Sequence, residues 1–449
     1  MTDPAAAAAL VPDRVLVVGL GVMGSAVVRA LVQRGVTVTV TDDRLGAEGP
    51  GRAADLGADW VDPPADWSEL IARHGAVVPS PGIPERHPLF EGARTAGVPI
   101  RSEFDLAAAW DHRPIATITG TNGKTTVTTL VTEMLLASGR RAVPAGNVDV
   151  PLVEAIDDPD TEVFVVEASS FRLTFATAHQ PVVGTWLNFA PDHLDVHLDL
   201  AGYEAAKARI WANHAKGGIA VANADDPVVM RWAPVGERTE TFGIREPADW
   251  HVADGVLRGP GGLELLPVAE LTRALPHDRA NALAAAATAL AAGATLDGIR
   301  TALRAFRSLP HRVELVGEAG GVRWYDDSKA TAPHATVAAL SGFDSAVLIA
   351  GGRNKGLDLA ELGGLAPHLR AVVAIGEAAA DVAAAFDGLT PTVTAGTMEE
   401  AVALAADLAQ PGDDVVLSPA CASFDWYPGY AKRGDHFQAV VRAHLEAVA

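Results

Sequence analysis

The stretch from Ile115 to Ala137 constrains the fold more than any other part of this chain. Ile115–Thr119 read as a strand, GTNGKTT (Gly120–Thr126) follows, and a helical stretch runs on to Ala137. A strand, a glycine-rich loop, a lysine, a threonine and a helix in that order form a phosphate cradle. Backbone N–H groups face the phosphates, the lysine neutralises them, and a hydroxyl holds Mg²⁺. The general pattern has glycine six positions before the lysine, where this chain has Ile118, and a decorated turn without a ligand is the competing reading.

The rest of the chain alternates strands and helices around that unit. The strand Val15–Val18, GLGVMGS (Gly19–Ser25), a helix to Arg34 and the strand Thr37–Thr41 form a β-α-β unit ending in Asp42-Asp43-Arg44. Strands at Val163–Val166, Val182–Asn188 and Ile219–Asn223 follow, with a helix over Tyr203–His214. Residues 238–266 read as strand and turn, and a helix runs from about Arg279 to Ala292. After Ser308-Leu309-Pro310 come strands Val322–Asp326, Ala346–Ala350, Ala371–Ile375 and Val415–Leu417, helices Pro333–Leu340 and Ala378–Ala385, and a last helix. This alternation predicts an α/β fold with mostly parallel sheets covered by helices. With 449 residues the chain exceeds what one core usually serves, so two to three domains are expected.

Composition narrows the partners. There are 35 basic and 56 acidic residues, a net charge of −21, which argues against nucleic acid as the main ligand. Cys421 is the one cysteine, which excludes an internal disulfide and a cysteine-based zinc cluster. MTDPAAAAAL lacks the charge and the apolar run of a signal peptide and reads as a disordered lead-in. No run is apolar and long enough to span a membrane, and the cysteine usage fits a reducing cytoplasm, so a cytoplasmic protein is expected. Only six of the 35 basic residues are lysines, and Lys124, Lys207, Lys329 and Lys355 fall in motifs.

Several further motifs carry chemistry. Gly19, Gly21 and Gly24 let a helix N-terminus approach a diphosphate, with NAD and a nucleotide sugar both fitting, and a ligand-free turn competes. Glu167 ends a strand beside the cradle, where a carboxylate can bind Mg²⁺, ahead of Ala168-Ser169-Ser170. The cluster Asn188 to Asp195, with His193, suggests a second metal or phosphate shell. Lys207 on the next helix reads as a solvated lysine in isolation, and as part of that shell in this company. Arg312, in Leu309-Pro310-His311-Arg312, can reach a γ-phosphate when domains close. Asp327 and Lys329 sit where a strand gives way to a helix, and Ser418–Asp425 follows another strand with small and hydroxyl residues suited to a carboxylate.

GTNGKTT, Glu167-Ala-Ser-Ser-Phe, Asn188-xxx-Asp192-His-Leu-Asp, Lys207, His277-xxx-Asn281, LPHR, DSKAT and SPACASFD together resemble the Mur ligase family, from Val15 to about Phe437. Ser80-Pro81-Gly82, DSKAT and SPACASFD are most similar to its D-glutamate-adding members. The resemblance implies three domains: residues 1–112, Rossmann-like, for the UDP substrate; 113–309, a P-loop ATPase-like domain with a mostly parallel sheet; and 310–449, Rossmann-like, for the amino acid. It implies that ATP phosphorylates the carboxylate of UDP-N-acetylmuramoyl-L-alanine and that the D-glutamate amine attacks the acyl phosphate through a tetrahedral intermediate. A monomer is expected.

The resemblance also assigns residues. Gly120, Thr121, Asn122, Gly123, Lys124, Thr125, Thr126, Asn281, Arg312 and Asp327 would bind ATP. Thr125 and Glu167 would hold one Mg²⁺, and His193 with a carbamylated Lys207 a second. Gly19, Gly21, Gly24, Asp43, Arg44, Ser80, Pro81, Gly82, Asn147 and Ser169 would bind the UDP substrate. Lys329, Thr331, Lys355, Ser423, Phe424 and Tyr430 would bind D-glutamate. Lys124, His193, Lys207, Arg312 and Lys329 would be catalytic. The chain departs from the family at Arg172 (commonly Gln), Asp149 (usually Gly) and Asp278 (commonly Asn). A nicotinamide-dependent oxidoreductase resting on Gly19–Gly24 leaves the P-loop unexplained. A nucleotide-switch or scaffold protein would bind ATP without substrate-dependent phosphate release, and another ligase of the superfamily would add a different amino acid or act on folate.

Overall fold

The computed structural model describes residues 10–148, 150–214, 217–235 and 238–448. The chain forms two compact units, Met1–Leu271 with Ala280–Ala305, and Thr272–Arg279 with Phe306–Ala449. The departure noted at Asp149 lies outside the described residues.

In the first unit, β1 (Arg14–Val18), β2 (Thr37–Thr41), β3 (Asp59–Trp60) and β4 (Ala76–Pro79) form a parallel sheet in the order β3-β2-β1-β4. A second sheet contains β5 (Ile115–Thr119), β6 (Ala142–Gly146), β7 (Val163–Glu167), β8 (Val183–Trp186), β9 (Ile219–Asn223) and β10 (Thr239–Phe242). Its order is β10-β9-β8-β5-β7-β6 and every pairing is parallel. β11 (His251–Ala253), β12 (Val256–Gly259) and β13 (Leu263–Pro267) add a small antiparallel sheet. β5, β7 and β8 are buried along their whole length, because helices cover both faces of a parallel sheet.

The second unit holds one six-stranded sheet of β14 (Glu314–Ala319), β15 (Val322–Asp326), β16 (Ala346–Gly351), β17 (Leu369–Ile375), β18 (Thr392–Ala395) and β19 (Asp414–Leu417). Its order is β14-β15-β19-β16-β17-β18, antiparallel only at the β14–β15 edge. Both large sheets reverse their strand order next to a central strand, β5 in one and β19 in the other. Loops leaving the carboxyl ends of the strands there diverge and leave a crevice, the usual place for a ligand in open α/β sheets. The α/β fold expected from the sequence is the fold observed. Among the described residues, no helix is long and apolar enough to cross a membrane.

Candidate functional site

The cradle after β5 is rigid for identifiable reasons. Gly123 has φ +82° and caps the helix Lys124–Ala137, and a Cβ there would lie 2.8 Å from Asn281 Oδ1. The left-handed backbone favours glycine there, and an added Cβ would have to push the Asn281 amide aside. Asn188, just past β8, which stops at Trp186 rather than running to Asn188 as expected, pins the loop: its Oδ1 accepts from the N–H of Thr121 (3.0 Å) and of Asn122 (2.8 Å), and its Nδ2 donates to Asn122 O. Thr121 Oγ1 donates to Ala190 O, accepts from Ala190 N–H, and lies 3.3 Å from the Tyr203 hydroxyl. Lys124 Nζ folds over the loop and donates to the carbonyls of Gly120 (2.8 Å) and Thr121 (3.0 Å). Thr125 and Thr126 follow on the first turn of the helix, half-buried.

Three groups from other elements converge on this loop. Lys207, on the helix Leu200–Ala208, is 1 % exposed, and its Nζ donates to Gly120 O at 2.8 Å above the Tyr203 ring. Burial, helped by the Lys124 charge, pushes its basicity well below that of an ordinary lysine, against the pull of Asp192 and Glu167. Glu167, at the end of β7, is 2 % exposed. Its Oε1 accepts from Asn147 Nδ2 at 2.9 Å, and its Oε2 has no hydrogen-bond partner among the described residues. A buried carboxylate oxygen without a donor fits a cation, because leaving such a group unpaired is costly. His193 adopts φ +58° and packs edge-on to Phe171 (4.9 Å) and Tyr203 (5.9 Å). Burial foremost, then the charges of Lys207 and Lys124, lowers its pKa, so a neutral ring with a free lone pair is favoured. The residues therefore fit hard cations beside the loop.

The glycine turn after β1 is equally specific. A Cβ on Gly24 would lie 1.9 Å from Gly19 O, and Ser80 Oγ donates to the same carbonyl at 2.8 Å. Gly19 has φ +92°. Asp42 closes the turn by accepting from the N–H of Leu20 (2.7 Å) and of Arg44 (2.8 Å), while Arg52 donates to Leu20 O. Asp43 points elsewhere and meets His87 Nε2 at 2.8 Å. Asp42 and Arg52 thus touch the turn along with Ser80, and the acidic pair at 42–43 in the sequence does not say which member faces it. A cavity of about 460 Å³ opens here, lined by Gly21, Asp42, Arg44 and Arg52. A neighbouring cavity of about 290 Å³ is lined by Gly21, Ser80, Pro81, Asn147 and Arg172. Gly82 has φ +84°, and Ser169 caps the helix Ser170–Thr174 by accepting from Arg172 N–H. The Arg172 side chain is buried against Glu103 as an ion pair.

The second unit gathers its own set. Asp327 follows β15 and is buried, accepting from Ser418 Oγ (2.7 Å) and Val313 N–H (3.2 Å). Burial raises its pKa to about 7, against the pull of Ser418 and Arg312. Arg312 sits between two left-handed residues, His311 (φ +59°) and Val313 (φ +49°), with His311 Nδ1 2.7 Å from Asp326 Oδ2. Lys329 Nζ donates to the Tyr430 hydroxyl at 3.1 Å, and Ser423 is buried while Phe424 is 59 % exposed. Lys355 is exposed and Thr331 half-buried. Asp278 pairs with Arg273 through two contacts of 2.7 Å, so this carboxylate has a cation of its own.

Three family models match the chain: the Mur ligase MurD-like N-terminal domain over residues 13–102, the Mur ligase middle domain over 118–289, and the Mur ligase glutamate ligase domain over 311–421. A UDP-N-acetylmuramoylalanine–D-glutamate ligase of Frankia casuarinae is 44% identical over 96% of this chain and 94% of that protein. One from Desulfosudis oleivorans is 40% identical over 96% of each. Among solved structures, a pseudomurein peptide ligase type C from Methanothermus fervidus aligns with a TM-score of 0.60 at 18% identity, over 96% of this chain and 99% of that one. UDP-N-acetylmuramate-alanine ligase MurC from Thermotoga maritima aligns with a TM-score of 0.57 at 17% identity, over 96% and 99%. The structural likenesses establish the shared fold, the sequence relatives go further, and together they show that this chain belongs to the Mur ligase family.

Proposed function

We propose that the chain is an ATP-dependent ligase that adds D-glutamate to UDP-N-acetylmuramoyl-L-alanine for peptidoglycan precursor synthesis, as its 37–44% identical relatives are named. Its three domains are taken to span 1–112, 113–309 and 310–449, and the enzyme to be a cytoplasmic monomer. The observation that carries the chemistry is the buried amine of Lys207, on the Gly120 carbonyl of the phosphate loop.

A carboxylate is a poor electrophile, and phosphorylation gives it a leaving group. The alanyl carboxylate of the acceptor attacks the γ-phosphorus of ATP, the bond to ADP breaks, and an acyl phosphate forms. The D-glutamate amine then attacks the carbonyl carbon, and the tetrahedral intermediate collapses with loss of inorganic phosphate. Gly120–Thr126 would cradle the ATP phosphates through backbone N–H groups, with Lys124 as their counter-charge. Asn281 and Asp327 would meet the nucleotide, and Arg312 would clamp its terminal phosphate.

Thr125 and Glu167 would hold one Mg²⁺, and His193 with Lys207 a second. Bound there, Mg²⁺ supplies positive charge where negative charge develops on the transferring phosphoryl group. Lys207 suits this role as a carbamate. A neutral buried amine adds CO₂ and releases a proton, which converts it to an anionic oxygen ligand that a hard cation accepts. Gly19–Gly24, Arg44 and Ser80–Gly82 would receive the UDP moiety, with Asp43, Asn147 and Ser169 nearby. Lys329, Thr331, Lys355, Ser423, Phe424 and Tyr430 would position D-glutamate.

The test is phosphate release with each component omitted in turn and with a panel of amino acids. Release is expected only when ATP, Mg²⁺, UDP-N-acetylmuramoyl-L-alanine and D-glutamate are all present. Undiminished release without D-glutamate, or with L-alanine in its place, contradicts the assignment.

A further inference from the structure

The loop carrying His193 is held from outside the phosphate site by a chain of polar contacts that the reaction itself does not use. His197 is 1 % exposed and both its ring nitrogens are engaged. Nδ1 lies 2.8 Å from Glu85 Oε1 and Nε2 lies 2.8 Å from Ser170 Oγ. A carboxylate only accepts, so Nδ1 carries the proton toward Glu85, and Nε2 is left to pair with the serine hydroxyl. The ring is clamped between Phe171 (5.4 Å, 23° between planes) and Tyr203 (5.1 Å, 38°). It therefore has no freedom to turn.

The main chain completes the device. The N–H groups of Val196 and His197 both donate to His193 O, at 3.1 and 3.0 Å, closing a short turn in which His193 takes its left-handed φ of +58°. Glu85 N–H donates to Val196 O at 2.8 Å, and Leu198 N–H donates to Glu85 Oε2 at 3.1 Å. Arg86 donates to the carbonyls of Leu194 (3.2 Å) and Asp195 (2.8 Å). A residue other than glycine is uncommon at φ > 0, though histidine is among those that tolerate it, and here the contacts just named hold it there. Glu85 and Arg86 belong to the loop that begins at Ser80–Gly82. Ser170 directly follows Ser169 in the motif that begins at Glu167.

We propose that Glu85, His197 and Ser170 form a positioning chain that fixes the strained turn at His193 and so aims its ring at the second cation. The proposal rests on the reading of His193 as a cation ligand. None of the three touches a reacting atom; they act through His193. Polar partners that orient a metal ligand typically change metal affinity by about 10–100-fold when removed.

The experiment counts Mn²⁺, visible by EPR, bound to the full chain with a non-hydrolysable ATP analogue, in the parent and in His197→Ala, Glu85→Ala, Glu85→Gln and His193→Ala. The parent is expected to bind two ions. His197→Ala and Glu85→Ala should weaken the second about tenfold or more, with the first ion and the analogue bound within about twofold of the parent. Glu85→Gln keeps an acceptor for Nδ1–H but sets an amide NH₂ against Leu198 N–H, so it should restore part of the loss. Steady-state kinetics should show the Mg²⁺ requirement rise in the same two alanine variants, with much of kcat recovered at saturating Mg²⁺. If His193→Ala loses the second ion while His197→Ala and Glu85→Ala keep it, the positioning proposal is wrong and the metal reading stands. A parent that binds one ion, or a His193→Ala that binds two, overturns both. Should His197→Ala fail to bind the analogue, Glu85→Ala, at the more exposed end of the chain, decides by the same criterion.

Discussion

Replacing Lys207 with methionine separates its chemical role from a structural one. Methionine keeps most of the buried volume and removes the amine. The one hydrogen bond lost, Nζ to Gly120 O, is worth about 0.5–1.5 kcal/mol. The carbonyl is not orphaned, because Lys124 Nζ still donates to it at 2.8 Å. Against that loss stands the cost of keeping an amine 1 % exposed, which burial has already made far less basic than a free lysine. Lys207→Met should therefore be as stable as the parent at pH 7, or up to about 2 kcal/mol more so. Lys207→Ala leaves a void and should fall about 2–4 kcal/mol below the methionine variant.

The pH dependence has a definite sign. The native pKa of Lys207 lies below its unfolded value, so between the two the unfolded chain holds the extra proton. The contribution of this group to stability then rises with pH toward about 10.4, and the methionine variant lacks that slope. Urea unfolding in CO₂-free buffer from pH 6 to 9 measures both effects. Turnover should drop about 10²–10³-fold in either variant, the usual loss when one preplaced electrostatic group is removed. Added acetate or bicarbonate should restore part of it in Lys207→Ala, which has room for a small carboxylate, and none in Lys207→Met. A methionine variant destabilised by more than about 2 kcal/mol, or an unrescued alanine variant with parental turnover, refutes the reasoning.

Other perturbations test the site piecewise. Asp327, with a pKa raised from 3.8 to about 7, stays protonated in the native state where the unfolded chain has lost its proton. Its contribution to stability is thus present below pH 4 and lost as pH rises to 7, by up to about 4 kcal/mol, and hydrogen exchange in β15 and β19 should show that slope vanish in Asp327→Asn. Gly123→Ala forces a side chain into φ +82° and against Asn281, and should weaken ATP binding about tenfold by calorimetry. Asp42→Ala should raise KM for the UDP substrate about tenfold or more, and Asp43→Ala much less, because only Asp42 holds the Leu20 and Arg44 amides.

Strands rich in apolar or β-branched residues were readable from the sequence: Thr37–Thr41, Ile115–Thr119 and Ile219–Asn223 occur with the expected bounds, and so does Val322–Asp326 despite Arg323 within it. Apolar pattern and the glycine turn after it are local properties, and they placed the glycine-rich loop between β5 and its helix. The helix expected over Tyr203–His214 instead spans Leu200–Ala208, because Asp199 caps it early and a 3-10 turn takes Arg209–Trp211. The two-residue β3 and the half-exposed β14 lack a run of apolar residues long enough to signal them. What escaped at the site was pairing over distance. Glu85 and His197 are 112 residues apart, and neither stands in a motif whose chemistry names the other. Spacing likewise assigns an acidic pair to the end of β2 without saying that Asp42 turns inward and Asp43 outward, which follows from the pleat and from His87.

The most direct test of the central claim uses acceptor labelled with ¹⁸O in both alanyl carboxylate oxygens. Activation as an acyl phosphate transfers one of those oxygens to inorganic phosphate and leaves the other in the new amide. In the presence of ATP, Mg²⁺ and D-glutamate, mass spectrometry should find one ¹⁸O in each phosphate released and one in each product. Phosphate released without the label, or labelled phosphate formed at the same rate when D-glutamate is withheld, would contradict the account.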